Sequence, residues 1–235
     1  MTAVLEVTGV VKRFGGFTAL SEVSISVGAG ERLGIIGPNG SGKTTLMNVI
    51  AGRIRPDAGG VRFEGRDIGA LPAWRRARIG IARSFQIPLP FGSMSVLDNL
   101  RVPLEQGGEA DPPGRAAALL EDFGLFPRAA ARAGDLSQVE LRKLELARAV
   151  AGNPRLLISD EAMAGLSGSE IDEVLELLLR LNARGIAVVM IEHMMRAIMR
   201  FSGRVVCIEA GRIIAEGPPD AVVADPGVRR AYLGA

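Results

Sequence analysis

Cysteine is all but missing from this chain: of 235 residues, only Cys207 carries a thiol. No disulfide can close within the chain, so a disulfide-stapled secreted scaffold is excluded and a reducing compartment is expected. Cys207 lies in the apolar run Arg204-Val205-Val206-Cys207-Ile208, where core packing is its expected role. Long apolar runs are missing too. No stretch approaches the ~20 residues of a membrane-spanning helix, and a signal peptide is not expected from the N-terminal residues. Any membrane role is therefore expected to come through a partner. An excess of one charge is also lacking, because 28 Lys and Arg face 26 Asp and Glu for a formal net charge of +2. With no basic run carrying interleaved aromatics, nucleic acid is not an expected partner. Histidine is reduced to His193, and lysine to Lys12, Lys43 and Lys143; all other cationic side chains are arginine.

What is present is a complete G-x-x-x-x-G-K-[ST] loop, Gly37-Pro38-Asn39-Gly40-Ser41-Gly42-Lys43-Thr44. Its glycines let the backbone bend tightly and aim N–H groups at phosphate oxygens. Lys43 is a compact cation able to reach the β- and γ-phosphates, and Thr44 offers a hydroxyl to Mg²⁺. A lysine kept in an arginine-rich chain suits this cradle, where a planar guanidinium fits less well. The flanks agree. Arg32-Leu33-Gly34-Ile35-Ile36 reads as a buried strand, and Leu46, Val49 and Ile50 recur at helical spacing. The helix would point its positive N-terminus at the phosphates.

The remaining chain alternates strands and helices. Val4 to Val7 and Ser24 to Val27 alternate as strands, Gly28-Ala29-Gly30 turns, and Val61-Arg62-Phe63 reads as a further hairpin strand. From about Ile87 to Arg132 the texture turns to Pro, Gly and Ala, as expected of a small helical insert. A helix from about Gln138 to Ala151 follows, stopped by Gly152-Asn153-Pro154. Leu156-Leu157-Ile158 and Ile186 to Ile191 are expected buried strands, separated by a helix lined by Ile171, Val174, Leu175, Leu178 and Leu181. Arg204 to Glu216 reads as a hairpin about Ala210-Gly211. The expected fold class is α/β with a mainly parallel, doubly covered sheet.

A second constellation narrows the chemistry. The strand ending Ile158-Ser159-Asp160-Glu161 delivers two adjacent carboxylates. Asp160 at a strand tip can hold the Mg²⁺ water shell, and Glu161 beside it can polarise water as general base. The Asn-Lys-x-Asp guanine reader of GTPases is missing.

These residues resemble the ATP-binding-cassette ATPases along nearly the whole chain. Gly37 to Thr45 is similar to their Walker A motif, and Leu156 to Glu161 to Walker B with its catalytic glutamate. The resemblance extends to Gln86 in Ser84-Phe85-Gln86 as the Q-loop glutamine and to His193 as the switch histidine. Phe14, in Lys12-Arg13-Phe14-Gly15, matches the aromatic that stacks on adenine. The resemblance implies a single domain over 1–235, with a P-loop ATPase core, an N-terminal antiparallel β subdomain and a helical subdomain inserted at about 87–151. It implies nucleotide contacts from Phe14, Gly37, Pro38, Asn39, Gly40, Ser41, Gly42, Lys43, Thr44, Thr45 and Ser137. Mg²⁺ would lie at Thr44, Gln86 and Asp160, with catalysis by Glu161, His193, Lys43 and Gln86.

Segments Gly80 to Gln86, Ile191 to Met194, and Asp225-Pro226-Gly227-Val228 with Ala231-Tyr232-Leu233-Gly234 resemble branched-chain amino acid importer ATPases. That implies a subunit on the cytoplasmic face of the inner membrane, paired with a second ATPase subunit, docked on a permease and served indirectly by a solute-binding protein. The family's Leu-Ser-Gly-Gly-Gln signature stands here as Leu136-Ser137-Gln138-Val139-Glu140. Ser137 and Glu140 still spell a capping box, so the helix start is expected to survive. Side chains at 138 and 139 are expected to hinder close approach to a partner's phosphate. Ala162, Ser167 and Met194 also depart from the family pattern, at no phosphate or metal ligand. A soluble non-transport cassette and a non-hydrolysing nucleotide-dependent regulator stay open as alternatives.

Overall fold

The computed structural model describes residues 3–85 and 87–233. Two long strands, β1 (Ala3–Phe14) and β2 (Phe17–Gly28), open the chain as a hairpin. They are followed by β3 (Arg32–Ile36), α1 (Lys43–Ile50), β4 (Ala58–Phe63), β5 (Arg66–Asp67), α2 (Ala73–Arg78) and β6 (Ile81–Arg83). Three helices come next: α3 (Val96–Gly107), α4 (Pro112–Asp122) and α5 (Gln138–Val150). The chain continues through β7 (Leu156–Asp160), α6 (Gly168–Ala183), β8 (Ala187–Ile191) and α7 (Met195–Phe201). It ends in the hairpin β9 (Arg204–Glu209) and β10 (Arg212–Gly217), then α8 (Pro219–Ala224) and α9 (Pro226–Leu233).

The strands form two sheets. A four-stranded antiparallel sheet has the order β2-β1-β4-β5, and a six-stranded sheet the order β10-β9-β3-β8-β7-β6. In the second, β9, β3, β8, β7 and β6 run parallel and only β10 is antiparallel. Every residue of β7 and β8 is buried. Successive side chains of these strands enter opposite cores. Leu157, Val188, Met190, Val205 and Cys207 pack toward the helices α3 to α7. Leu156, Ile158, Val189, Ile191 and Val206 pack toward the antiparallel sheet and α1. With both faces covered, period-two alternation is invisible in sequence and each strand reads as one apolar run. Full burial of each such aliphatic side chain contributes roughly 1.5–3 kcal/mol, which makes these strands the rigid frame.

The helices between β6 and β7 bear out the expected helical insert, and their apolar sides join the core beneath the sheet. Ser95 caps α3 through the Asp98 N–H at 3.0 Å, and Asp111 caps α4 through the Gly114 N–H at 3.1 Å. Sequence reasoning did not find α2, β6, α7, α8 or α9.

Candidate nucleotide site

The parallel register assembles the site. Asp160 pairs with Ile191 and Ile35 pairs with Ile191, so the tips of β3, β7 and β8 lie side by side. Each strand then releases one chemically armed segment at the same edge: residues 37–42 from β3, Glu161 from β7, and Glu192 with His193 from β8. Ligand sites of open parallel sheets lie at this C-terminal edge.

Backbone geometry explains the loop's glycines. Gly37 has φ +149°, and a Cβ there would stand 2.1 Å from the Ile208 carbonyl oxygen. Gly42 has φ +110°, with a Cβ position 2.6 Å from the Ala19 carbonyl oxygen. The loop is thus wedged between β9 and β2, and only glycine fits at either end. From below, the Gly211 N–H donates to the Ser41 carbonyl at 2.9 Å. Lys43 is buried, and its Nζ donates to the carbonyls of Gly37 at 2.7 Å and Pro38 at 2.9 Å. Burial holds its pKa below the usual lysine value, opposed by the charge of Glu161 and of Asp160. Thr44, in the first turn of α1, is exposed; Thr45 beside it is half-buried. Gly42 as N-cap supplies no side chain to the first amides of α1, so that positive end faces the loop's hollow uncapped. Pro38, Asn39, Gly40 and Ser41 complete the loop, with Ser41 buried and Asn39 and Gly40 exposed.

The carboxylates are held by their neighbours. Arg83 at the tip of β6 donates to Asp160 Oδ2 at 2.6 Å and to Asn48 Oδ1 on α1 at 2.6 Å. Glu161 adopts a left-handed backbone, φ +47°, unusual for a non-glycine residue. Its N–H donates to the Ile191 carbonyl at 2.9 Å, which fixes the turn against β8. Its Oε1 lies 2.7 Å from His193 Nε2 in a hydrogen bond. The sequence-predicted base and switch histidine are therefore in contact across 32 residues of chain. Beneath them, Glu192 is buried and accepts the Met163 N–H at 3.1 Å. Burial, reinforced by Glu161, pushes its pKa up to about 7.

Two predicted nucleotide residues lie apart from this cluster. Phe14, at the end of β1, is exposed, with the Lys12 ammonium 5.4 Å from its ring centre. Ser137 is exposed at the start of α5 and engaged in its own cap: its Oγ accepts the Glu140 N–H at 3.4 Å, and its N–H donates to Glu140 Oε2 at 2.8 Å. The predicted capping box is present. Gln86 lies outside the described residues. Its neighbour Phe85 has both backbone groups held by α5, the N–H by Glu145 and the carbonyl by Arg142 at 2.9 Å. That ties the segment before Gln86 to the helix that Ser137 caps.

Thr44, Arg83, Phe85, Ile87, Glu145 and Asp160 line one open cleft of about 500 Å³. Among the described residues, no group of three or more His, Cys, Asp and Glu side chains could hold a metal by itself. Mg²⁺ does not need one, because it binds through one or two carboxylates together with substrate phosphates. The hard oxygens of Thr44 and Asp160 suit that chemistry. Cys207, whose thiol burial pushes up to about 11, stays neutral in the core as expected. Sequence reasoning assigned no role to Arg83 or Glu192. The signal was there: each is a charged residue at or just past the tip of a short apolar strand.

A glycine loop from a central strand tip, a helix N-terminus behind it and carboxylates on the next strands define an α/β P-loop nucleotide-binding ATPase. The comparisons with known proteins agree. Residues 20–164 match the family described as ABC transporter, and residues 212–235 match the one described as branched-chain amino acid ATP-binding cassette transporter. The high-affinity branched-chain amino acid transport ATP-binding protein BraF of Pseudomonas aeruginosa is 35% identical, covering 98% of this chain and 98% of its own. The lipopolysaccharide export system ATP-binding protein LptB of Acidithiobacillus ferridurans is also 35% identical, over 100% of this chain and 98% of its own. A crystal structure of an ABC transporter's ATP-binding cassette in its ADP conformation superposes with a TM-score of 0.89 at 33% identity, covering both chains in full. The chain belongs to the ABC transporter family, as an ATPase of the cassette type.

Proposed function

We propose that this chain is the ATP-hydrolysing subunit of an importer that moves a small solute, such as a branched-chain amino acid or related compound, through a membrane permease. The observation that carries the reading is the contact of Glu161 with His193 at a strand tip adjoining both Asp160 and the P-loop. The match of residues 212–235 to the branched-chain cassette family favours import over lipid export. No described helix is long and apolar enough to cross a membrane. The chain is thus read as a peripheral subunit on the cytoplasmic face of the inner membrane, reached by a solute-binding protein only through the permease.

In this reading the amides of residues 39–42, Lys43 and Thr45 hold the phosphates, and Phe14 stacks on adenine. Thr44 and Asp160, with Gln86, would hold Mg²⁺, which neutralises charge developing between the β- and γ-phosphates when bound. Glu161 takes the proton of the attacking water, and His193 orients that carboxylate and braces the γ-phosphate. Ser137 serves the nucleotide of a second cassette, so two subunits enclose two ATPs. Segment 87–151 forms the helical subdomain that moves against the permease, linked to the site through Phe85. Replacing Glu161 with Gln keeps the shape and removes the base, and ATPase turnover is expected to fall ~10²–10⁴-fold. ATP binding should persist, and an ATP-held dimer should become isolable by size exclusion. Near-parental turnover in that variant would overturn the assignment of Glu161 as the base, and only a parent with no turnover of its own would leave the non-hydrolysing regulator standing.

A further inference from the structure

The terminal helix reaches the P-loop. Tyr232 Oη, on α9, accepts the backbone N–H of Gly37 at 2.7 Å, across 195 residues of chain. Gly37 is buried, and its two polar groups have separate duties: the N–H goes to Tyr232 and the carbonyl to Lys43 Nζ at 2.7 Å. A buried amide with no acceptor is costly, so the phenol oxygen favours one orientation of the loop's first peptide. That orientation bears on where the next carbonyl holds the lysine. At the loop's other end a backbone bond runs from Gly211 N–H to the Ser41 carbonyl at 2.9 Å. The Tyr232 contact differs in kind, because it depends on how a short helix is seated. Asp225 Oδ1 accepts the N–H groups of Gly227 at 2.7 Å and Val228 at 3.0 Å, and Val228 is buried in the core. Tyr232 itself is 38% exposed, at the rim.

We propose that Tyr232 is a positioning residue for phosphate binding, and that it couples the docking of α9 to the affinity of the P-loop for nucleotide. The inference rests on the reading of residues 37–44 as an ATP site. With α9 seated, the loop is preformed; with α9 lifted, Gly37 and Lys43 must be reordered by the ligand. Linkage is reciprocal, so nucleotide must tighten α9 by the same factor that α9 tightens nucleotide.

The test compares the parent with Tyr232→Phe and Lys43→Ala, titrated with a fluorescent ATP analogue, and follows amide hydrogen exchange of residues 226–233 with and without ATP. Tyr232→Phe keeps the ring and loses the hydroxyl, so affinity should fall about three- to tenfold, the range of one neutral hydrogen bond. ATP should slow exchange in α9 of the parent and have little effect in Tyr232→Phe, a response that a merely structural tyrosine would not produce. Parental affinity in Tyr232→Phe beside a weakened Lys43→Ala would overturn this inference alone. Unchanged α9 exchange on adding ATP to the parent would overturn it as well. Parental affinity in Lys43→Ala would overturn the ATP-site reading and this inference with it.

Discussion

The two ends of the proposed nucleotide site are built in opposite ways. The phosphate end rises from strand tips buried on both faces, and its loop is pinned by glycines that no other residue can replace without collision. The signature end is the exposed start of α5, where Ser137 and Gln138 meet solvent and the cap is satisfied within the helix itself. One end is determined by its own chain; the other is completed only by what faces it. The difference explains why the first keeps its motif residue for residue while the second departs from the family pattern without disturbing the helix. Loss of a glycine at 37 or 42 breaks the fold locally, whereas side chains at 138 and 139 leave a normal α-helix.

That contrast is broken most forcefully at Lys43. Its Nζ is anchored by carbonyls of its own loop, poised to trade them for phosphate oxygens. Lys43→Ala removes a charge-assisted contact, worth roughly 1.5–3 kcal/mol, so affinity for a fluorescent ATP analogue should fall ~10–100-fold. The loss should appear at the site of the altered subunit itself, with or without a partner. Unchanged affinity would make the loop structural.

Glu192 sharpens the same end. Its pKa in the folded chain, about 7, lies above the 4.5 of an ordinary glutamate. The folded state therefore binds this proton more tightly, and stability falls as pH rises between those two values. Below 4.5 the cost is absent, and above about 7 it is fully present. Glu192→Gln keeps an acceptor for the Met163 N–H and abolishes the charge. It should stabilise the protein by about 1–3 kcal/mol at pH 8 and by little at pH 5, read from thermal unfolding at both. An equal effect at the two pH values would mean that Glu192 is not held neutral by its surroundings.

How much of this was legible in the sequence also follows from burial. Leu156 to Ile158 and Ile186 to Ile191 read as strands because both of their faces are covered, and the loop and carboxylates at their tips carry residue types that few other contexts require. Four of the expected site residues, Lys43, Asp160, Glu161 and His193, lie at one sheet edge as the motifs imply. The antiparallel sheet was only half read. Register shifts at Val7 to Val10 and at Lys12 interrupt the alternation of β1, so its 12 residues do not present one period. Helix α2 was missed because Arg76 reads as a surface residue. It is 1% exposed, and its guanidinium donates to the carbonyls of Val49 at 2.7 Å and Ile50 at 2.8 Å, a cation at the C-terminal end of α1. Such pairing depends on folding neighbours that no local pattern announces.

The signature end yields the smallest effect and the most informative one. Sequence reasoning treats Gln138 and Val139 alike, as side chains where family members have glycine. The structure separates them: Gln138 is exposed, with Oε1 3.3 Å from the Cβ position of Gly165, while Val139 is half-buried against the core. A side chain turned inward does not stand in a partner's way. Gln138→Gly should therefore supply most of any gain, raising ATPase turnover and ATP-dependent dimerisation a few-fold. Val139→Gly should add little and cost roughly 1 kcal/mol through helix propensity, with lost packing besides. Because the signature would act on the nucleotide held by the facing subunit, mixed dimers separate the two ends. One subunit carrying Lys43→Ala beside one carrying Gln138→Gly should leave the single competent site in the Gln138→Gly subunit, faced by an unaltered signature, and running at the parental rate. Placing both substitutions in the same subunit should leave the competent site facing the restored glycine, and running faster. Equal rates from the two arrangements would mean that Gln138 does not hinder the facing site, and slower turnover in Gln138→Gly itself would mean that Gln138 makes a favourable contact across the dimer and that the departure from the family signature is functional.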